Sequence, residues 1–170
     1  MNMDGVPMTR RILVINPNNN AAVSEGIRRA AAQVICADTE LTVANPLHGP
    51  LSIESLEDRA QAIPPLLAMV DSYIGQGFDA CVLGCYDDIA LDEIRRRLKI
   101  PVVGAFEASI AAARTMSARF CVVTTVHSAL PTIKSLLQTY GAQHIASALA
   151  AGIGVADAAA HRLCGARLPP

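Results

Sequence analysis

Four times between residues 12 and 116, a short apolar run gives way to a polar turn and then to a stretch with helical periodicity. The runs are Ile12-Leu13-Val14-Ile15, Leu41-Thr42-Val43-Ala44, Asp79 to Leu83, and Pro101-Val102-Val103-Gly104. Their length and β-branched content read as buried strands. Strands alternating with helices at this spacing specify an α/β fold, a parallel sheet with helices on both faces.

Val23, Ile27, Ala30 and Val34 fall on one face of a first helix, and Leu56, Ala60, Ile63, Leu67, Val70 and Ile74 on one face of a second. Pro64-Pro65 interrupts the second set, which predicts a kink or two abutting helices. Gly75-Gln76-Gly77 ends it. Ile89 to Leu98 reads as a third, amphipathic helix and Glu107 to Met116 as a fourth.

A second beginning follows. Arg119-Phe120-Cys121-Val122-Val123-Thr124 aligns with Arg11-Ile12-Leu13-Val14-Ile15-Asn16 at an offset of 108 residues. A helix bearing Leu130, Ile133 and Leu137 comes next, then a strand near Ile145 to Leu149. Such a repeat suggests two similar halves. The expected organisation is a flexible N-terminus over residues 1–10, a complete α/β lobe over 11–118, and a partial second pseudo-symmetric lobe over 119–170.

Composition narrows the function classes. Hydrophobic residues make up 52% of the 170 and charged residues 17%, with a formal net charge of −1 and no long basic run. This argues against nucleic acid or an anionic membrane surface as the main partner. No apolar run approaches the roughly 20 residues needed to span a bilayer, and the one after the polar N-terminus is too short for a signal-peptide core. A cytoplasmic protein with five free cysteines is expected.

Ligands of open parallel sheets sit at the carboxyl ends of the strands. Asn16, Pro46, Cys85 and Glu107 fall at or just past those ends. Cys85 lies between a strand and Asp87-Asp88 plus a helix, where the positive end of the helix would favour thiolate. A buried free cysteine is otherwise a small hydrophobe, and Cys36, Cys81, Cys121 and Cys164 read as core. Asp87 and Asp88 also suit plain helix caps. His48 and His127 lack a matching partner in sequence and read as solvated or structural. Asn16, Asn18, Thr124 and Thr125 supply neutral donors and acceptors on loops; as turn or cap residues they would be ordinary. No Walker-type loop and no Gly-x-Gly-x-x-Gly follows the first strand, so nothing points to a nucleotide.

Several of these motifs occur together and in order: Ile15-Asn16-Pro17-Asn18, Gly49-Pro50-Leu51-Ser52-Ile53-Glu54, Gly84-Cys85-Tyr86-Asp87, Pro101-Val102-Val103-Gly104 through Glu107-Ala108, and Val122-Val123-Thr124-Thr125. In this the chain resembles the hydantoin racemases of the cofactor-independent aspartate/glutamate racemase superfamily, which also holds allantoin racemases. The resemblance runs from about Arg11 to about Asp157, with Asn19 standing where that family often has Thr.

The resemblance implies a two-lobed fold with one cysteine per lobe. One thiolate removes the proton α to a carbonyl and the other thiol returns one to the opposite face. It implies no metal and no organic cofactor. Cys85 would be the first-lobe acid/base, with Asn16, Tyr86, Asp87, Thr124 and Thr125 lining a small substrate: a hydantoin, allantoin or an amino-acid derivative. The repeat projects Cys85 to position 193, beyond Pro170, so the second cysteine is expected to be missing and Cys164 lacks its strand context. Two alternatives follow: a one-cysteine decarboxylase or proton-exchange enzyme of the same superfamily, and a non-catalytic lobe that binds a small ligand or another chain. An unfinished second sheet would favour self-association, hence a homo-oligomer.

Overall fold

β1 (Arg10–Ile15), β2 (Thr39–Ala44), β3 (Ala80–Leu83) and β4 (Val102–Gly104) form a parallel sheet in the order β2-β1-β3-β4. The computed structural model describes residues 9–154 and 157–158. Ile15 stands opposite Ala44 on one side and Leu83 on the other, so β1, β2 and β3 end at one level. Between and after the strands run α1 (Ala21–Ala32), α2 (Leu56–Ser72), α3 (Leu91–Arg97) and α4 (Ala105–Met116). A second parallel pair joins β5 (Phe120–Thr124) to β6 (Ala146–Ala150) through a 3-10 turn at His127–Ala129 and α5 (Leu130–Thr139). The two segments matched by the 108-residue offset are therefore β1 and β5, each paired with the next strand along the chain.

The pleat sorts the core. Leu13 and Ile15 pack with Ala62, Leu66 and Val70 of α2 and with Leu91 and Ile94 of α3. Val14 points to the opposite face. There α1 covers the sheet: a Cβ added at Gly84 would lie 3.2 Å from Ile27 Cδ1 and 3.5 Å from Val14 Cγ1. Helices thus cover both faces, as the periodicity predicts. A second cluster joins Phe106 and Ile110 of α4 to Ile133 and Leu137 of α5.

Several expectations are corrected. α1 stops at Ala32, leaving Val34 81% exposed instead of on the buried face. Pro64 and Pro65 sit inside one continuous helix, not between two. Proline removes two backbone donors there. Pro64 lies on the exposed side, where water can satisfy a carbonyl left without a donor, while Ala62, Leu66 and Val70 hold the helix to the sheet. Cys81 is fully buried, but Cys36, in the turn after α1, and Cys121, on the outward face of β5, are exposed and not core. Cys164 lies outside the described residues. Among the described residues, no helix is long and apolar enough to cross a membrane.

Candidate active site

In the strand order β2-β1-β3-β4, the chain leaves β1 toward one edge and β3 toward the other. A crevice opens at such a switch point, between the carboxyl ends of the two strands. Asn16 continues β1, and Gly84 and Cys85 continue β3. The two ends are tied together by the Gly84 N–H, which donates to the Ile15 carbonyl at 2.8 Å. A cleft of about 360 Å³ begins here. Asn16, Cys85, Tyr86, Asp87, Thr124 and Thr125 all line it, so residues 109 positions apart at the extremes share one wall-to-wall space.

Cys85 Sγ donates to Asp87 Oδ1 at 3.2 Å. The same oxygen accepts the Ile89 N–H at 3.1 Å. Asp87 Oδ2 is paired with the guanidinium of Arg59, which reaches across from α2. Burial pushes the Cys85 thiol well above its ordinary range, the neighbouring Asp87 charge pushes the same way, and Arg59 pulls weakly against both. This corrects the expectation of a thiol activated by a helix end. α3 starts only at Leu91, so its dipole does not act at Cys85. Burial and the Asp87 charge both favour the neutral thiol, which donates its hydrogen bond to the Asp87 carboxylate.

Asp88 does not cap α3 either. Its N-cap is Ala90, in left-handed backbone, with no side-chain capping bond. Asp88 is itself left-handed (φ 45°), and its buried carboxylate turns toward α4. There it accepts the N–H groups of Phe106 at 3.0 Å and Glu107 at 2.9 Å, and the Tyr140 hydroxyl at 2.8 Å. Glu107 completes the cap by accepting the Gly104 N–H at 3.0 Å. The capping side chain that glycine lacks is supplied from the loop after Cys85.

The neutral groups divide by how committed they are. Asn16 is 1% exposed; its Nδ2 donates to Asn18 Oδ1, the Asn20 carbonyl and Ser24 Oγ, and its Oδ1 accepts the Asn18 N–H. It organises the turn into α1. Asn18 Oδ1 also accepts the Asn20 N–H at 2.9 Å. The Tyr86 hydroxyl bonds Ser109 Oγ at 2.8 Å, and its ring meets Phe106 edge-on. Thr124 and Thr125 do not cap a helix, because the N-cap of α5 is Ala129. Their backbone carbonyls accept the N–H groups of Ala151, Gly152 and Ile153. His48 and His127 are exposed, and neither lines the cleft.

Arg59, Ser128 and Tyr140 were not singled out by sequence reasoning. Arg59 lies 28 residues from Asp87 and Tyr140 52 residues from Asp88, with no local pattern to announce either pair. Ser128 donates to the Glu54 carbonyl and so ties the start of α5 to the loop before α2, on opposite sides of the cleft.

A parallel α/β sheet with a thiol at its switch point and a second strand–helix unit beside it defines an open-sheet α/β protein with a cleft at the carboxyl ends of its strands. Residues 12–168 match the Asp/Glu/hydantoin racemase family model, and the chain belongs to that family. It is 38% identical over 132 residues to the hydantoin racemase of Rhizobium meliloti, covering 78% of this chain and 55% of that protein. It is 36% identical over 133 residues to the hydantoin racemase of Pseudomonas sp. (strain NS671), covering 78% of this chain and 53% of that one. The allantoin racemase structure from Klebsiella pneumoniae superposes with a TM-score of 0.83 at 33% identity, over 86% of this chain and 60% of that chain. The chain thus spans about half the length of the curated relatives it matches.

Proposed function

We propose that the chain acts on cyclic ureides, hydantoins or allantoin, by cysteine-mediated proton transfer at the carbon α to a carbonyl. The observation that carries this is the Cys85 thiol at the mouth of β3, facing a cleft whose other polar groups are mostly neutral amides and hydroxyls. Arg59 is the only lysine or arginine lining it among the described residues, and Asp87 already neutralises it. A free amino-acid carboxylate would find no unpaired cation there, whereas a neutral ureide would find hydrogen-bonding groups.

In this reading Cys85 is the acid/base for one face of the substrate carbon. Thr124 and Thr125 hold the ring's carbonyl and N–H groups, and a hydrogen bond to the enolate oxygen stabilises the intermediate. Asn16 shapes the wall and presents Asn18. Asp87 serves the thiol more directly than the substrate, because both of its oxygens are engaged. The two sheets belong to a complete lobe over residues 11–118 and a partial second lobe that begins at residue 119, with the substrate between them. The location is cytoplasmic, and no nucleic acid, membrane or cofactor takes part.

A second reading rests on one observation. Cys85 is the only thiol lining the cleft among the described residues. One thiol serves one face, so it supports proton exchange or decarboxylation with retention; racemisation needs a second acid/base. Deuterium exchange at C5 of a single 5-substituted hydantoin enantiomer separates the two. Exchange with inversion, lost in Cys85→Ala, supports racemisation. Exchange without inversion supports the one-base enzyme. Inversion that survives Cys85→Ala removes Cys85 from the mechanism. Binding seen by thermal shift with no exchange would leave a ligand-binding lobe, and mass in solution would report self-association.

A further inference from the structure

We infer that Arg59 is a positioning residue for Cys85, acting through Asp87: the guanidinium anchors one carboxylate oxygen and thereby aims the other at the thiol. The inference rests on the reading of Cys85 as the reacting group, and it adds a control on that group's proton.

The geometry is specific. Asp87 lies two residues after Cys85 in a turn, and its Oδ1 takes both the Sγ proton at 3.2 Å and the Ile89 N–H at 3.1 Å. Its Oδ2 is held by Arg59 Nη1, which also approaches the Asp87 carbonyl at 3.4 Å. Arg59 comes from the first turn of α2, a different element, so the carboxylate is fixed from two directions. Both side chains are largely buried, at 27% and 19% exposure, where an ion pair is screened less than at the surface. α2 is in turn anchored at its start by Ser55, whose Oγ accepts the Asp58 N–H at 3.1 Å.

Each charge has a defined effect. A carboxylate beside the thiol opposes ionisation, and a guanidinium behind that carboxylate reduces the opposition. Together the two charges set how readily the Cys85 thiol gives up its proton. The other ionisable side chains lining the cleft among the described residues are Glu54 and Tyr86. Asp88, though adjacent in sequence, points its carboxylate at α4.

The test is the pH dependence of Cys85 alkylation by iodoacetamide, read peptide by peptide by mass spectrometry in the full chain. Thiolate absorbance, measured against a Cys85→Ala background, reads the same ionisation without a reagent. Asp87→Asn keeps an acceptor for Ile89 but loses the charge; its profile moves down by about one pH unit, roughly a tenfold gain in reactive thiolate at fixed pH. Arg59→Gln moves the profile up by a smaller amount, because Arg59 acts on the thiol through Asp87, and Arg59→Lys falls between Arg59→Gln and the unaltered protein. A merely structural Arg59 would lower stability in Arg59→Gln and leave the profile in place, which overturns the proposal. So would an Asp87→Asn profile that stays put. Neither readout uses a ureide, so failure of hydantoin exchange would count against the proposed function and not against this control.

Discussion

The carboxylate of Asp88 occupies the space that a side chain at position 104 would need: a Cβ added to Gly104 would sit 2.6 Å from the Asp88 carboxyl carbon. Gly104 has ordinary backbone (φ −82°), so its requirement is steric and not conformational. The loop after Cys85 and the start of α4 are therefore one fitted unit. Gly104→Ala should lower stability by about 1–3 kcal/mol, the usual cost of overpacking. Urea denaturation measures it, and an unchanged midpoint would contradict the fit.

Tyr140 reaches the same carboxylate from the end of α5, so Tyr140→Phe removes one hydrogen bond to a buried charge. A loss of about 1.5–3 kcal/mol is expected. In combination with Asp88→Asn the two losses should be less than additive, because they share one bond. Full additivity would mean that the hydroxyl does not work through Asp88.

Cys81 is buried in the main core, and burial pushes its thiol up from 9.0 to about 12. The folded state holds that proton after the unfolded chain has released it. The associated stability is fully present below pH 9.0 and is lost as pH rises from there toward about 12. Cys81→Ala should flatten this alkaline limb of the stability curve, whatever it costs at neutral pH. Equal slopes in the two proteins above pH 9.0 would contradict it.

Asp58 behaves in the opposite sense. The Ser55 hydroxyl and the Glu54 N–H both donate to it and hold its pKa below the ordinary 3.8. Its contribution is present above that value and fades as pH falls through the folded pKa. Ser55→Ala removes the N-cap of α2 and should cost about 1 kcal/mol near neutral pH. The difference between the two proteins should shrink in acid, as followed by thermal unfolding; a difference constant with pH would show that Asp58 takes no part.

Asn16 and Thr124 line one cleft but should fail differently. Asn16→Ala leaves the buried Asn18 N–H without its acceptor and takes a donor from Asn18 Oδ1 and Ser24 Oγ, so a loss of about 1–3 kcal/mol in stability is expected. Thr124→Val should stay within about 0.5 kcal/mol. It should instead reduce C5 exchange, measured by proton NMR. A Thr124→Val protein with full exchange would remove that hydroxyl from the substrate-binding set.

Much of the architecture is legible in the residues. Ile12 to Ile15, Leu41 to Ala44 and Pro101 to Gly104 mark three strands to within two residues, because short β-branched runs between turn formers have few alternatives. Cys85 at a strand end is visible for the same reason. The helix faces are less so. Leu56 and Ile74 fit the period of α2 but lie exposed at and beyond its ends, since burial depends on where the sheet stops.

What the sequence determined by itself is the parallel α/β class, the order of its elements and the position of the cleft thiol, all of which follow from local periodicity and turn chemistry. Only the tertiary structure decided what surrounds that thiol. It turned Asp88 away to cap α4, aimed Asp87 at Cys85, and brought Arg59 and Tyr140 to them across 28 and 52 residues. The reason is physical: a charged group takes whichever partner the packed backbone brings near. Sequence spacing records that partner only when both lie on the same turn or helix.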